Sequence, residues 1–220
     1  MRRIKTTLAF SFLWLLLAAC SGGRGGEEPV SCPEGWEVDD EQCVGLEMEW
    51  TSCSLMEGED DGLALCAETV MPRNWDSHDG SGFVSAVKRL PAEEPLAQLW
   101  LLSGGPGSSG TIGLAEMMLG IQQFAPDVEV FAIDYRGTGS SEYLGCPIQE
   151  HPESDEGENI SLAELESCIE HLREEHGHEP EVFSYTSSAR DLSASIEVMR
   201  EPSVPVFIWA TSGGTVWAQR

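Results

Sequence analysis

The sequence predicts an α/β fold with a mostly parallel sheet, and three observations carry that prediction. Apolar runs recur at 96–102, 128–133 and 206–209, short enough for buried strands and each closed by a turn. Stretches of helical character lie between them, and strands that alternate with helices pair in parallel. Glycine and serine cluster directly after each run, at 103–110, 137–141 and 212–214. Such loops leave backbone N–H groups open at the carboxyl ends of strands.

The elements follow in chain order. Arg2, Arg3 and Lys5 form a positive n-region, and Leu8 to Leu17 an apolar stretch shorter than a membrane span. Leu17-Ala18-Ala19-Cys20 resembles a bacterial lipobox. The resemblance implies a lipoprotein signal peptide over 1–20, cleavage before Cys20 and lipidation of its thiol. The expected location is the bacterial cell envelope. A lipid anchors the chain to a membrane there, and the domain lies in the periplasm or at the cell surface. Ser21 to Gly26 reads as a flexible tether, and 21–62 as tether plus an acidic, cysteine-bearing stretch without sustained periodicity, either a small disulfide-tied leader or irregular packing around the next domain.

Export implies an oxidising compartment. Without Cys20 an even set remains: Cys32, Cys43, Cys53, Cys66, Cys146 and Cys168. These are disulfide candidates. The favoured split puts two bridges among the first four and one between Cys146 and Cys168. No C-x-x-C pair or zinc-like histidine spacing accompanies them, so no metal is expected. The charge is −26, from 12 basic and 38 acidic residues. That balance argues against nucleic acid as a partner and suits solubility outside the cell. The acidic runs Glu57 to Asp61 and Glu153 to Glu158 read as solvated loops without the spacing of an EF-hand.

From Leu63 to Arg220 the texture is that of a packed domain. Gly82 to Val87 alternates like a half-buried strand, and Leu96 to Leu102 reads as a buried central one. A helix is expected from about Gly113 to Gln123, then a strand from Val128 to Ile133. Ser161 and Glu164 form a capping box for a helix running to about Glu175. Another helix spans about Ser187 to Arg200. The strand Val206 to Trp209 leads into a helical stretch at Thr215 to Gln219.

Three segments carry chemistry. Ser103 to Gly110 follows a strand, and its glycines could bring N–H groups to a phosphate or to an oxyanion, or simply make a tight turn. The Lys-Ser/Thr ending of a P-loop is missing. Asp134 to Ser141 follows the next strand. Asp134 and Arg136 read as scaffold residues that hold the loop by charge-assisted hydrogen bonds. Ala210-Thr211-Ser212-Gly213-Gly214 lies between a strand and a helix. Small residues around a serine there are what a nucleophile elbow requires, because its backbone is strained and a neighbouring chain passes close.

Taken together and in this order, the segments resemble those of the proline iminopeptidase and tripeptidyl aminopeptidase family of serine peptidases (S33), which has the α/β-hydrolase fold. That family carries His/Asn-Gly-Gly-Pro-Gly, then Asp-x-Arg-Gly-x-Gly-x-Ser, then Gly-x-Ser-x-Gly. The counterparts are Ser103 to Gly107, Asp134 to Ser141 and Ala210 to Gly214, with further similarity around Cys66, Val70 to Trp75, and Tyr185 to Leu192. The departures are Ser103 for His or Asn, Ala210 for Gly, and Gly213 for a bulkier residue.

The resemblance implies a serine hydrolase, an exported aminopeptidase that cleaves short peptides through an acyl-enzyme at Ser212. Gly213, with Gly104 or Gly105, supplies the oxyanion hole. The substrate is a peptide or small ester, no cofactor is implied, and the oligomeric state is left open. Only Gly213 to Arg220 follows Ser212, without Asp, Glu or His, whereas the fold places the triad acid and histidine after the serine. The expectation is therefore an α/β-hydrolase domain truncated after the elbow. The alternative is a non-catalytic or degenerate surface lipoprotein that retains the hydrolase sheet.

Overall fold

A computed structural model describes residues 36–39, 42–44, 46–77, 79–105, 107–154, 157, 159–177 and 179–220. The lipobox, Cys20, Cys32, Pro106, His78 and His178 lie outside them. Two sheets are present. A small hairpin pairs β1 (Glu37–Asp39) with β2 (Gln42–Val44). The main sheet has six strands: β3 (Thr51–Cys53), β4 (Ala64–Pro72), β5 (Gly82–Leu90), β6 (Ala97–Leu102), β7 (Val128–Ile133) and β8 (Val206–Ala210). Their spatial order is β3-β4-β5-β7-β6-β8.

The sheet is mixed, and the connections explain why. β3, β4 and β5 follow one another in the chain without an intervening named helix and pair antiparallel with one another, and β5 pairs antiparallel with β7. From β6 onward, helices intervene and the pairing is parallel. α1 (Ala115–Phe124) carries the chain from β6 to β7. α2 (Leu165–His176), a 3₁₀ turn (Pro180–Phe183) and α3 (Tyr185–Met199) carry it back across β6 to β8. α4 (Gly213–Ala218) follows the last strand.

Both faces of the central strands are covered, and alternate residues divide between them. Leu101, Val130 and Ala132 join Leu55, Leu90 and Met118 in one core beneath α1. Trp100, Leu102, Phe131 and Ile133 join Leu192 and Trp217 in the other, beneath α3 and α4. The register sets Trp100 beside Phe131, and their rings stack at 4.4 Å.

Part of the 21–62 segment packs with the main domain. β3 belongs to the main sheet, ahead of the expected boundary near 62, and Leu46 and Leu55 are buried. Disulfides join Cys53 to Cys66, across the β3–β4 pair, and Cys146 to Cys168, which ties the β7–α2 loop to α2. These bridges suit an oxidising, extracellular environment. Ser161 and Glu164 make their reciprocal hydrogen bonds, one turn before α2 begins. Among the described residues no helix is long and apolar enough to cross a membrane.

Candidate active site at a strained serine

Topology fixes where a ligand would meet this sheet. The β6–α1–β7 connection leaves β6 toward one edge, and the return through α3 places β8 on its other side. Strand order thus reverses at β6, and crevices for ligands form at the carboxyl ends of strands at such switch points. Leu102 is in register with Ala210, so the loop at Ser103 and the turn at Thr211 emerge side by side.

Ser212 stands in that turn, at the N-cap of α4, with φ 48° and ψ −124°. Among the described residues it alone is a non-glycine with positive φ. A residue with a Cβ held there stores about 1–3 kcal/mol of strain, so the surroundings must impose the conformation. Gly214 N donates to Thr211 O at 2.8 Å and Thr215 N to Ser212 O at 3.0 Å, closing the turn into the helix. The side chain of Ser212 is exposed.

The glycines around it are required by close approach. A methyl on Gly214 would lie 2.6 Å from Ser103 O and 2.8 Å from Leu102 O. One on Gly104 would lie 3.0 Å from Ser212 Cβ and 3.6 Å from Ser212 Oγ. One on Gly213 would lie 2.7 Å from both Gly105 O and the Tyr185 hydroxyl. The structure thus brings Gly104, Gly105 and Gly213 together around Ser212. Ser103, which departs from the family pattern, donates from Oγ to Ser108 O at 2.6 Å and closes the glycine loop on itself.

Asp134 and Arg136 are both scaffold residues, but they act on different partners. Asp134 accepts from Ser109 Oγ, Gly110 N, Thr111 N, Thr111 Oγ1 and Ser140 N at 2.7–2.9 Å. It therefore clamps the far end of the glycine loop to the loop after β7. Arg136 turns away from it. The fully buried guanidinium grips Asp191 of α3 through Nε and Nη2 at 2.6 and 2.7 Å, and donates to the carbonyls of Pro72, Arg73 and Val182. Trp75 Nε1 donates to the same carboxylate at 2.9 Å. Complete burial pushes the Asp191 carboxyl up, against the pull of Arg136.

Ser212 Oγ makes no hydrogen bond to any described residue, and two of the three described histidines are engaged elsewhere. His176 Nδ1 is 3.4 Å from Glu142 and its ring packs edge-on against Phe183; His151 Nδ1 accepts from Glu153 N. Among the described residues no group of three His, Cys, Asp or Glu is placed to hold a metal ion. In the acidic run at 57–61, Asp61 is structural: it accepts from Leu55, Met56 and Leu63 N–H and closes the loop between β3 and β4.

Sequence reasoning did not find Tyr185 beside Gly213. The signals were the unusual glycine after the serine and the family similarity at Tyr185 to Leu192, neither of which places the phenol.

No protein-family model matches the chain, and no curated protein does. Solved structures do. One is a cold-adapted esterase from an Arctic intertidal metagenomic library, crystallised with polyethylene glycol, at 17% identity over 78% of this chain and 58% of that one, with a TM-score of 0.40. Another is acetyl xylan esterase 1 from a Thermoanaerobacterium species, at 16% identity over 86% of this chain and 54% of that one, with a TM-score of 0.42. The chain spans little more than half the length of either. A strained serine between strand and helix, with a glycine loop beside it from the neighbouring strand, is the α/β-hydrolase arrangement.

Proposed function

We propose that the chain carries the nucleophile of a serine hydrolase acting by acyl transfer at Ser212. The observation that supports the reading is the strained backbone of Ser212, held against the Gly104–Gly105 loop. No packing need explains a serine at φ 48°, whereas an elbow that lifts Oγ toward a substrate does. In the reaction the Oγ lone pair attacks the acyl carbon, and the carbonyl π electrons move onto oxygen. The seryl proton passes to a base and then to the leaving alcohol or amine. Water repeats the sequence and frees the acid. Gly213 N–H and one N–H of Gly104 or Gly105 are the donors assigned to the oxyanion. Loss of one such donor lowers kcat by about 10²–10³ in other serine hydrolases.

The substrate is an ester or short peptide, and aminopeptidase action rests on the family resemblance alone. Export and lipidation at Cys20 belong to the same reading. A binding role for the surface lipoprotein is the second reading, favoured by one observation: no described imidazole reaches Ser212 Oγ.

Reaction of the full chain with a fluorophosphonate, read by intact mass, decides between them. Stoichiometric labelling that Ser212→Ala abolishes is the expected result. Absence of labelling on folded protein would overturn the hydrolase reading and leave the binder.

A further inference from the structure

A side chain on Gly213 would meet a phenol as well as a backbone carbonyl. The Tyr185 hydroxyl and Gly105 O each lie 2.7 Å from where a Cβ on Gly213 would stand. Tyr185 is the first residue of α3, whose N-cap Ser184 accepts from Ser187 N at 3.1 Å and fixes the helix start. Its ring meets Tyr135 edge-on at 5.0 Å, and Tyr135 meets Trp217 of α4 at 5.7 Å. This ladder of rings links the loop after β7, α3 and α4 behind the elbow.

The two phenols differ in one respect. Tyr135 donates its O–H to Phe183 O, and burial, with Tyr185 beside it and Arg136 opposing, pushes its pKa up to about 12. The half-buried Tyr185 O–H makes no hydrogen bond to any described residue. A phenol held by its ring, with its donor unspent, touches the residue whose N–H is assigned to the oxyanion.

We propose that Tyr185 is a further catalytic donor of this site. Its O–H hydrogen-bonds the acyl oxygen beside Gly213 N–H as that oxygen gains charge, and the phenol keeps its proton throughout. The proposal rests on the serine-hydrolase reading of Ser212. It also fits the glycine at 213, where a Cβ would lie 2.7 Å from both the Tyr185 hydroxyl and Gly105 O.

The test measures phosphonylation kinetics of the full chain. Ser212 Oγ bonds to phosphorus, the P–F bond breaks, fluoride leaves, and the seryl proton passes to buffer. The developing charge sits on the phosphoryl oxygen, the acyl oxygen's counterpart. Tyr185→Phe keeps the ring ladder and removes only the donor, so thermal midpoints should match. The maximal labelling rate should fall about 10- to 100-fold, with the half-saturating probe concentration within about twofold.

Gly213→Ala pushes on the hydroxyl and should cost more in the unmodified chain than in Tyr185→Phe, giving a coupling in rate of about fivefold or more. A maximal rate unchanged within about twofold, a change confined to half-saturation, or additive effects of the two substitutions would each overturn the role of Tyr185. If the unmodified chain is not labelled at all, the failure lies with Ser212 instead.

Discussion

β7 and β8 flank the same strand in the same parallel orientation, yet their environments are opposite. Val130 to Ile133 of β7 are completely buried, whereas Phe207, Ile208 and Trp209 of β8 are 56%, 44% and 37% exposed. The loops that follow differ in the same sense. After β7, Asp134 and Arg136 are saturated with hydrogen bonds and hold segments from β4 to α3. After β8, Ser212 sits in a strained conformation with its Oγ unpartnered among the described residues. Hydrogen bonds are concentrated around one strand end and backbone strain at the other. The rigid loop supports the strained one, because Asp134 fixes the far end of the glycine loop whose near end touches Ser212.

The largest effect should come from breaking the β7 side. Asp191→Ala leaves the Arg136 guanidinium buried without its carboxylate, and removing one partner of such a pair costs about 3–5 kcal/mol. Urea unfolding of the oxidised protein should show a loss of that size. A loss below about 1 kcal/mol would mean that the carbonyls of Pro72, Arg73 and Val182 satisfy Arg136 by themselves, and that Asp191 is dispensable to the scaffold.

On the β8 side the sign should reverse. Ser212→Gly removes the Cβ from a backbone held at φ 48°, where glycine is at ease, and should raise stability by about 1–3 kcal/mol while abolishing fluorophosphonate labelling. Most substitutions destabilise, so a gain at Ser212 would be specific to stored strain. If Ser212→Gly is neutral or destabilising, the strain is not stored there and the contrast between the two strand ends weakens.

The contrast was partly legible in the sequence. β7 has the bounds that its apolar run predicts, and β8 runs one residue longer than expected. The elbow could be read because its small residues are contiguous. β4 escaped notice: Ala64–Pro72 buries residues on both faces without a clean period of two, and Glu68 and Thr69 interrupt the apolar run. The pairing of Arg136 with Asp191 was also hidden. The scaffold role of Arg136 is legible two residues from Asp134, whereas its carboxylate partner comes from α3, 55 positions away. Local spacing reveals turns and elbows, but partners supplied by a helix that crosses the sheet leave no local trace. Tyr185 was missed for the same reason.

The smallest effect separates the two sides by pH. Hydrogen bonds from Leu63 N–H, then Leu55 N–H, hold the Asp61 carboxyl below its usual 3.8. The loop it closes seats Leu55 in the α1-side core with Val130, and Lys88 Nζ donates to Leu55 O at 3.0 Å. A carboxylate with a depressed folded-state pKa contributes stability that is present above 3.8 and is lost as pH falls through the lower, folded value. The unmodified protein should therefore lose more stability between about pH 5 and about pH 3 than Asp61→Asn, whose amide cannot titrate. Parallel acid limbs for the two proteins would show that the loop closes without the charge. The elbow contains no carboxylate, so Asp61→Asn should leave the Ser212 labelling rate at neutral pH unchanged. A fall in that rate would mean that the α1-side core and the reactive turn are coupled through β6, and that the division between the two strand ends is incomplete.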